Sequence, residues 1–514
     1  MKVSRSPLLG HSLVEPISGR HSPRWEALLV AILMVVIALL SLRLWHFDFD
    51  DPAIVYRIAE NLAEGRGWVY NPGERTNAST STLWTLLLAA GSWVVGKAPA
   101  TAHLLDAAAW LGCGVLLYEL ARQWMSSTVA FVTTLLFVSD PIFGLSTGLE
   151  LHLLIFWALL AIRAESKNQP ILLGTMLGLI GLTRPDGILL GGVLLFHHGL
   201  KNHGFPWRVI LTALVLFSPW LLFSSFYFGS FVPNTLAAKM AQGSSGGWEA
   251  TLPGAFSPLP LFIRGMMQVF SDAYHPIFLG LGLPFALAGF FLMAARTQPG
   301  RGLRDAGRWP DTQGYRLALV IPIWGTLHLA AYSSLGVPAY HWYALPVVLS
   351  IIFCLGSTLQ WSLDGSVLAR RVLTPVVGLV AVLGIGWNLY HYTILDPLEP
   401  RVAAYRTVAD WIVSETPDHW TMAAAEIGTL GYHSRLTMVD MGGLLHHEVE
   451  QLGAGKLDWW MRRRPDLVLL HTPAWPLEAA AESGSAGRNY QLLKLFPFDD
   501  YRTLRLFERK KSGR

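Results

Sequence analysis

Eight long apolar runs decide what this chain can fold into. They lie at about 25–45, 103–121, 128–146, 208–228, 275–295, 316–333, 341–360 and 371–392. Each run approaches the length of about 20 apolar residues with which an α-helix crosses about 30 Å of hydrocarbon. Shorter apolar segments occur at 82–96, 150–163, 170–183 and 186–199. These lengths predict a polytopic α-helical membrane protein.

The composition agrees with a membrane protein and excludes other classes. Of the 514 residues, 52% are hydrophobic and 14% are charged, whereas soluble domains have about 25% charged residues. The net charge of +4 is too small to indicate a nucleic-acid partner. Cys113 and Cys354 lie far apart within apolar segments, so they form no disulfide framework and no metal motif.

Basic residues between the apolar runs predict the orientation in the membrane, because connections rich in Lys and Arg stay in the cytoplasm. Five such connections carry Arg122; Arg163 and Lys167; Lys201 and Arg208; Arg296, Arg301, Arg304 and Arg308; and Arg370 and Arg371. All five are cytoplasmic if segment 82–96 lies in the outer interface and the other runs cross. We therefore predict about 11 transmembrane helices, a cytoplasmic N-terminal segment at 1–24 and an extracytoplasmic C-terminus.

The character of the sequence changes near residue 393. Segment 393–514 combines an amphipathic helix with short apolar strands at Met422–Ala425 and Thr437–Val439, and "RRRPDLVLLH" adds another strand. This pattern predicts a C-terminal extracytoplasmic α/β domain. The preceding transmembrane domain at 25–392 would carry two long external loops, at 46–102 and 229–274. The first of these is called loop 1 below.

Loop 1 begins with three aspartates in four residues, Asp48, Asp50 and Asp51, directly beyond the first span. An Asp-Pro pair is typical of a helix start, so Asp51 is predicted to be the N-cap of a helix that Gly65 ends. The apolar stripe of this helix predicts that it lies on the membrane surface. If Asp48 belongs to a solvated loop, Asp50 is a carboxylate without a structural role, open to water and lipid.

Loop 1 also carries a family resemblance. The segment "DDPAIVYRIAENLAEGRGWVYNPGERTNASTSTLW" resembles the first external loop of GT-C-fold membrane glycosyltransferases that use polyprenyl-phosphate sugars, in particular the mycobacterial terminal arabinofuranosyltransferases. Further matches are "STGLE", "LTRPDGILL", "VPNTLAAK", "HWYALP", "ADWIVSE" and "EIGTLGY". The chain departs from the family pattern at "TNASTS", Asp186 and His341, which affects the identity of sugar and acceptor more than the fold.

The resemblance implies that a monosaccharide moves from a polyprenyl-phosphate donor to a hydroxyl acceptor at the outer face of the membrane. This reaction needs a carboxylate to take the acceptor proton and an anion near the oxocarbenium-like charge. It also needs cations that stabilise the departing phosphate. We assign Asp50 as the base, and Asp51 orients the acceptor or shares that role.

Three further charged residues are predicted to bind substrate, each with a structural alternative. Arg57, one helical turn beyond the aspartates, either reaches the phosphate or pairs with Asp50 or Glu60. Glu150 is either a second acid near the site or the cap of a span. Arg184 is either the outer end of a helical hairpin or a buried functional charge, because ionisable residues within membrane segments are commonly functional.

Four residues in later external segments complete the predicted substrate-binding set. Asn234 and Lys239 lie in "VPNTLAAK", where the resemblance implies contact with phosphate and a plain interfacial lysine is the alternative. His341 and Tyr343 begin the tenth predicted span and face the same layer, although a histidine there can simply be a polar cap. The predicted partners are therefore the lipid-linked donor, a glycan, lipid or protein acceptor and the bilayer.

The sequence predicts no certain cofactor. A divalent metal is possible but not favoured, because the pairs His197-His198 and His446-His447 lack the spacing of a metal site. The main rival is a transporter or flippase of a lipid-linked or amphipathic solute, which would need charges lining several spans. A non-catalytic scaffold of the same fold is a second rival. The predicted location is the bacterial inner membrane.

Overall fold

Twenty α-helices and five β-strands are found in the described part of the computed structural model, which comprises residues 22–244, 258–297, 312–395, 399–446, 456–475, 478 and 489–510. Most of the predicted segment 1–24 lies outside the described residues, as do Arg301, Arg304 and Arg308. The helices are α1 Pro23–Arg43, α2 Asp50–Ala63, α3 Thr82–Val95, α4 Ala98–Ala121, α5 Ser127–Val138, α6 Pro141–Gly144, α7 Leu151–Ser166, α8 Pro170–Thr183, α9 Ile188–Asn202, α10 Trp207–Phe228, α11 Asn234–Ser244, α12 Leu261–Ala273, α13 Pro276–Arg296, α14 Thr312–Ala318, α15 Val320–Leu335, α16 Leu345–Asp364, α17 Val367–Ile394, α18 Pro400–Glu415, α19 Gly428–Ser434 and α20 Lys456–Arg462. The strands are β1 Thr421–Ala424, β2 Thr437–Asp440, β3 Leu467–Thr472, β4 Tyr490–Pro497 and β5 Thr503–Arg509.

The long helices form a bundle whose connections gather at two opposite ends. At the loop-1 end, the amide of Asn234 at the start of α11 donates to the carbonyl of Asn77 (3.0 Å). At the other end, Arg122 after α4 donates to Glu26 near the start of α1 (2.7 Å). Beyond loop 1, ten helices run alternately away from this end and back to it, namely α4, α5, α7, α8, α9, α10, α13, α15, α16 and α17. An even number of passes returns the chain to the loop-1 end.

The lengths of these helices confirm a membrane-spanning α-helical protein. Within the described residues, seven helical segments are long and apolar enough to cross a membrane: Pro23–Arg43, Ala98–Ala121, Trp207–Phe228, Pro276–Arg296, Arg316–Leu335, His341–Asp364 and Val367–Ile394. The remaining predicted spans fall on α5, α7, α8 and α9, which have 12, 16, 14 and 15 residues. The count of about 11 spans therefore stays a prediction.

Local sequence explains where several membrane helices begin and end. Ser366 precedes α17, and its hydroxyl accepts a hydrogen bond from the amide of Ala369, as an N-cap residue does. Gly229 and Gly336 follow α10 and α15 with φ of 77° and 64°. This left-handed conformation is open to glycine at little cost and commonly ends a helix.

The C-terminal region forms the predicted α/β domain around a mixed sheet with strand order β2-β1-β3-β5-β4. Strand β1 pairs in parallel with β2 and β3, and β5 pairs antiparallel with β3 and β4. Helix α18 covers one face, where Val408 packs in a core with Met422 and Leu469. Trp460 of α20 packs against Val468 on the other face.

Helix α2 joins the two parts of the molecule and differs from its predicted position. Ile54 and Ile58 pack into the core of the C-terminal domain, whereas Val55 and Ala59 pack with Trp84 of α3. The expectation of a helix lying on the membrane surface is therefore wrong. The apolar stripe predicted one buried face, and the second face is covered by a domain more than 300 residues away in sequence.

Candidate active site

The two adjacent aspartates at the start of α2 have exchanged the roles that the sequence suggested. Helix α2 begins at Asp50 rather than after Asp51, and Asp51 caps no helix. The Asp50 side chain is 7% exposed and accepts hydrogen bonds from the amides of Gly428 (3.0 Å) and Thr429 (2.8 Å) at the start of α19. Burial raises the pKa of Asp50 to about 6, against the effect of these bonds. Asp50 thus has a structural partner that the local sequence does not reveal.

Asp51 is the more available of the two carboxylates. It is partly exposed, and among the described residues it has no hydrogen bond or ion pair from its side chain. Its charge acts on Asp50, on Tyr340 and on Glu426 of the C-terminal domain. The charge of Asp51 therefore reaches both the segment before α16 and the C-terminal domain, and its partly exposed side chain is available to a ligand.

Arg57 holds the C-terminal domain against α2. The side chain is 2% exposed, and its Nε donates to the carbonyl of Tyr70 (2.9 Å). Its Nη1 donates to Gly431 (2.6 Å) and its Nη2 to Leu436 (2.8 Å). Because all three guanidinium nitrogens are committed to backbone carbonyls, the expected contact of Arg57 with phosphate does not fit the geometry. The expected pairing with Asp50 or Glu60 is not formed either.

Two ion pairs complete this contact between loop 1 and the C-terminal domain. Asp48 bonds to Arg406 of α18, so it is not the solvated loop residue that the sequence suggested. Glu60 accepts from the hydroxyl of Tyr432 in α19 (2.6 Å) and pairs with Arg435, which directly follows this helix. Loop 1 and the C-terminal domain therefore form one continuous interface that combines these polar contacts with the apolar packing of Ile54 and Ile58.

Glu150 and Arg184 form a buried charged cluster at the loop-1 end of the bundle. Arg184 Nη1 donates to Glu150 Oε1 (2.7 Å), and its Nε donates to Asp186 Oδ1 (3.1 Å). Tyr332 donates to Asp186 Oδ2 (2.6 Å), and the Arg184 guanidinium lies 5.6 Å from the Tyr343 ring centroid. Arg184 is thus both the end of the α8–α9 hairpin and a buried charge. Two carboxylates already balance its positive charge.

Lys239 supplies a cation without a carboxylate partner among the described residues. Its Nζ lies 3.8 Å from the Tyr340 ring centroid and 5.7 Å from that of Trp342. Asn234 begins α11, and its amide bond to Asn77 fixes this helix to loop 1. Lys239 lies on the Tyr340 ring, and the charge of Asp51 acts on the same tyrosine. A cation and a carboxylate are therefore both found in the surroundings of one aromatic residue.

His341 and Tyr343 lie in the same layer, in the short 3-10 helix before α16. His341 Nε2 lies 3.2 Å from the carbonyl of Leu145, and its ring centroid lies 5.6 Å from that of Phe49. Tyr343 packs beside Tyr332, with ring centroids 4.5 Å apart. His341 thus bonds to the residue after α6 and packs against Phe49 of loop 1, but it does not cap its own helix. Tyr343 lies beside the Arg184 cluster.

Sequence reasoning missed two charged residues here. Glu426 follows β1, its side chain is 22% exposed, and its Oε1 lies 3.3 Å from Arg401 Nη1. Burial raises the pKa of Glu426 to about 8, and the charges of Asp50 and Asp51 add to this rise. Arg264 of α12 is 8% exposed, and its Nε has no hydrogen-bond partner within the described residues. The motif "EIGTLGY" contains Glu426, but nothing local brings it near loop 1.

Metal binding is not assigned by this geometry. Across the part of the chain that the structure describes, no group of three His, Cys, Asp or Glu side chains is arranged to hold a metal ion. The expectation that a divalent metal is not favoured therefore stays a prediction.

One family model matches the C-terminal part of the chain. It is described as a domain of unknown function (DUF8728), and it matches residues 394–511. This range covers the whole sheet together with α18 and α19, which contact loop 1.

Two curated relatives match about half of the chain. A terminal beta-(1->2)-arabinofuranosyltransferase of Mycobacterium tuberculosis is 31% identical over 277 residues, which cover 49% of this chain and 41% of that protein. Its namesake from Corynebacterium glutamicum is 30% identical over 322 residues, covering 53% of this chain and 42% of that protein. The matches thus span less than half the length of these relatives.

Solved structures match nearly the whole chain at low identity. ArnT from Cupriavidus metallidurans bound to undecaprenyl phosphate has a TM-score of 0.53 and 16% identity, over 95% of this chain and 98% of that one. AglB from Archaeoglobus fulgidus, in complex with an inhibitory peptide and a dolichol-phosphate, has a TM-score of 0.55 and 11% identity, over 87% and 69%. The mycobacterial arabinofuranosyltransferase AftD has a TM-score of 0.52 and 13% identity, over 97% and 40%. The chain is therefore a membrane protein with the GT-C fold.

Proposed function

We propose that this chain is a glycosyltransferase that moves a monosaccharide from a polyprenyl-phosphate donor to a hydroxyl acceptor at the outer face of a bacterial inner membrane. The observation that carries the proposal is the arrangement around Tyr340. There the partly exposed carboxylate of Asp51 and the ammonium group of Lys239 both lack a partner of opposite charge among the described residues. Transfer from a lipid phosphate needs one group of each kind.

The reaction follows from these two charges. The acceptor oxygen forms a bond to the anomeric carbon while its proton passes to Asp51. The bond between that carbon and the phosphate oxygen breaks, and the polyprenyl phosphate leaves with the electron pair. The carboxylate also stabilises the oxocarbenium-like charge, and Lys239 stabilises the phosphate. Arg184 is a weaker candidate for this last role because Glu150 and Asp186 already balance its charge.

We assign the base to Asp51 rather than to Asp50. Asp50 is buried and each of its oxygens already accepts a backbone hydrogen bond from α19, so it is less accessible to an acceptor hydroxyl than the partly exposed Asp51. Asp50 therefore acts as a positioning residue, because it fixes the start of α2 and with it the direction of Asp51. Asn234 has a similar role for α11 and Lys239.

The fold and the relatives support the class of donor. ArnT was solved with undecaprenyl phosphate and AglB with a dolichol-phosphate, and both share the fold of this chain. The two curated relatives are named terminal beta-(1->2)-arabinofuranosyltransferases. A polyprenyl-phosphate arabinofuranose is therefore the first donor to test, and hexosyl donors follow. The acceptor is a glycan, a lipid or a protein of the cell envelope.

The rival transporter function has less support. A transporter would need unpaired charges along a path across the membrane. At the end opposite loop 1, the buried Glu165 is satisfied by His197 (2.8 Å), His198 (2.6 Å) and the nearby Lys201. Asp51 and Lys239, which lack a partner of opposite charge among the described residues, both belong to the loop-1 end, where a lipid-tethered donor would meet the acceptor.

The test uses the purified full chain in lipid nanodiscs with a panel of radiolabelled polyprenyl-phosphate sugars and a mixture of envelope glycan acceptors. We expect release of polyprenyl phosphate together with label in the acceptor for at least one sugar. Asp499→Asn, an exposed change in the β4–β5 turn, should leave the rate unchanged. Absence of transfer from every donor, together with movement of a lipid-linked sugar across liposome membranes, would replace this proposal with the transporter.

A further inference from the structure

A continuous line of hydrogen bonds leads from the candidate active site into the interior of the C-terminal domain. The Tyr405 hydroxyl lies 2.6 Å from Glu426 Oε2 and 2.7 Å from His471 Nε2. His471 Nδ1 lies 2.7 Å from Glu478 Oε1. The hydrogen bonds thus join Glu426, which follows β1, to Tyr405 of α18 and His471 of β3. The Glu478 carboxyl group is the inner end of this line.

The inner part of this line is buried and fixed. Tyr405 and Glu478 are fully buried, and His471 is 4% exposed. Glu478 Oε2 accepts from the amides of His471 (3.0 Å) and Trp475 (3.1 Å), and these two bonds fix the position of the carboxyl group. When Glu478 is ionised, its other oxygen accepts from His471 Nδ1–H. The Trp475 ring stacks on the imidazole at 4.0 Å and 7° and prevents it from turning.

With Nδ1–H fixed, the same atoms allow two proton arrangements. In the first, Glu426 carries a proton and donates to Tyr405, which donates to a neutral His471. In the second, His471 carries the extra proton and donates to Tyr405, which donates to an ionised Glu426. The arrangements differ by the transfer of one proton through the Tyr405 hydroxyl, and neither requires movement of a heavy atom. Glu478 stabilises the imidazolium of the second arrangement.

Glu426 is the outer end of this line and lies two residues before Gly428, whose amide donates to Asp50 (3.0 Å). Its Oε1 faces Arg401, whereas its Oε2 faces Tyr405, so the two oxygens address different neighbours. The charged groups around it are Asp50, Asp51 and Arg401, and the two aspartates and burial favour its protonated form. A proton that arrives on one oxygen can therefore leave from the other.

We propose that Glu426, Tyr405, His471 and Glu478 form a proton relay that removes the acceptor proton from the loop-1 carboxylates. This inference rests on the proposed transfer reaction. The acceptor O–H bond breaks and its proton passes through Asp51 to Glu426. Glu426 releases its own proton to Tyr405, and the hydroxyl proton of Tyr405 moves to His471 Nε2. Tyr405 and His471 act through Glu426 and are positioning residues. The C-terminal domain thereby takes part in the chemistry.

The kinetic test compares Tyr405→Phe with Tyr490→Phe across a pH series in nanodiscs. Tyr490 is a matched control because it is also buried in this domain, and its hydroxyl bonds only to the Pro465 carbonyl (2.8 Å) among the described residues. We expect Tyr405→Phe to lower kcat about 10-fold or more near neutral pH while the donor KM stays within about twofold. Its kcat should recover as pH rises through the pKa of Glu426, because an ionised Glu426 can accept the proton without Tyr405.

A merely structural role for Tyr405 predicts a different result. In that case Tyr405→Phe lowers kcat by the same factor at every pH, or Tyr490→Phe loses as much activity, and either outcome overturns the relay. Glu426→Gln should lose activity without recovery at high pH. An unchanged kcat in Glu426→Gln likewise overturns the proposal.

A second readout does not depend on turnover. Infrared difference spectra between the wild type and Glu426→Gln isolate the protonated carboxyl band of Glu426. We expect its titration midpoint to rise in Tyr405→Phe, because a hydroxyl that donates to the ionised carboxyl is lost, and to stay unchanged in Tyr490→Phe. An unchanged midpoint in Tyr405→Phe overturns the relay even where transfer is intact. A wild type that transfers no sugar overturns the proposed function, whatever the spectra show.

Discussion

Asp50 and Asp51 are neighbours in sequence with different surroundings, and at the residue scale this difference defines their functions. Asp50 accepts two amide hydrogen bonds from α19, whereas Asp51 makes none with its side chain among the described residues. A carboxylate that caps a helix contributes about 1 kcal/mol to stability. A general base contributes about 10²- to 10⁴-fold to the rate. Replacement of each residue should therefore be detected by a different assay.

Removal of the Asp50 carboxylate should loosen the C-terminal domain. We expect Asp50→Ala to destabilise the protein by about 1 kcal/mol, because the amides of Gly428 and Thr429 lose their acceptor. Thermal unfolding in nanodiscs measures the change. The matched control Asp51→Ala should leave the unfolding midpoint near that of the wild type. A midpoint lowered by the Asp51 change and not by the Asp50 change would contradict this assignment.

Lys239 should matter for the donor and little for stability. Loss of a charged group that contacts phosphate typically costs about 1.5–3 kcal/mol, so Lys239→Met should weaken donor binding about 10- to 100-fold. Binding of a radiolabelled donor to nanodisc-embedded protein gives the Kd. Lys97→Met, at an exposed lysine of loop 1, should leave the Kd unchanged. Equal effects of the two changes would show that only the general surface charge matters.

At the scale of elements, the contact between α2 and α19 determines the geometry of the site. The contact is close, because a Cβ on Gly428 would lie 1.9 Å from the carbonyl oxygen of Asp50. A Cβ on Gly431 would lie 1.8 Å from the Tyr70 hydroxyl. These two glycines of "EIGTLGY" let α19 approach loop 1, and the approach brings Glu426 to the aspartates. The two glycines of this motif are therefore explained by the interface between α19 and loop 1, and not by the helical structure of α19 itself.

Arg57 should be essential for this contact. Arg57 uses three nitrogens to bond the carbonyls of Tyr70, Gly431 and Leu436, whereas a lysine offers one nitrogen. Arg57→Lys therefore leaves buried carbonyl groups without a donor. We expect a loss on the order of 3 kcal/mol, measured by thermal unfolding, with faster amide hydrogen exchange in α19. Arg66→Lys, on the exposed side of loop 1, should change neither measurement. A stable Arg57→Lys protein with slow exchange would contradict the docking role.

At the scale of the whole molecule, the return of the chain to the loop-1 end agrees with the predicted topology. Ten helices follow loop 1 before the C-terminal domain, and an even number of passes places both on one side. The charge pattern predicts that this side is the outer one. Orientation relative to the cell remains a prediction that labelling can test.

Single introduced cysteines should report this topology cleanly, because Cys113 and Cys354 are both buried. We expect Asp499→Cys to react with an impermeant maleimide added to intact cells, because the charge pattern predicts that the C-terminal domain lies outside. Asn168→Cys, in the exposed turn between α7 and α8, should react only after the cells are opened. Labelling of Asn168→Cys from outside would reverse the orientation.

The sequence predicted what depends on local pattern. The apolar runs gave the membrane helices, and alternation after residue 393 gave the strands. The external segments also supplied Lys239 and Tyr343 as candidate substrate-binding residues. What could not be predicted depends on contacts between distant residues: the bond of Asp50 to α19, the backbone partners of Arg57 and the position of Glu426. Arg264 was missed because it lies in a short amphipathic helix, where the local sequence does not indicate that an arginine is buried. Nor does it indicate that Nε has no hydrogen-bond partner among the described residues.

The most direct measurement compares Asp51→Asn with Asp50→Asn in the transfer assay, with donor binding measured in parallel. We expect Asp51→Asn to lower kcat at least about 100-fold, while its donor Kd stays near that of the wild type. Asp50→Asn should retain much more activity, because an amide oxygen can still accept one hydrogen bond from α19. Normal turnover in Asp51→Asn, together with loss of turnover in Asp50→Asn, would contradict the assignment of the base.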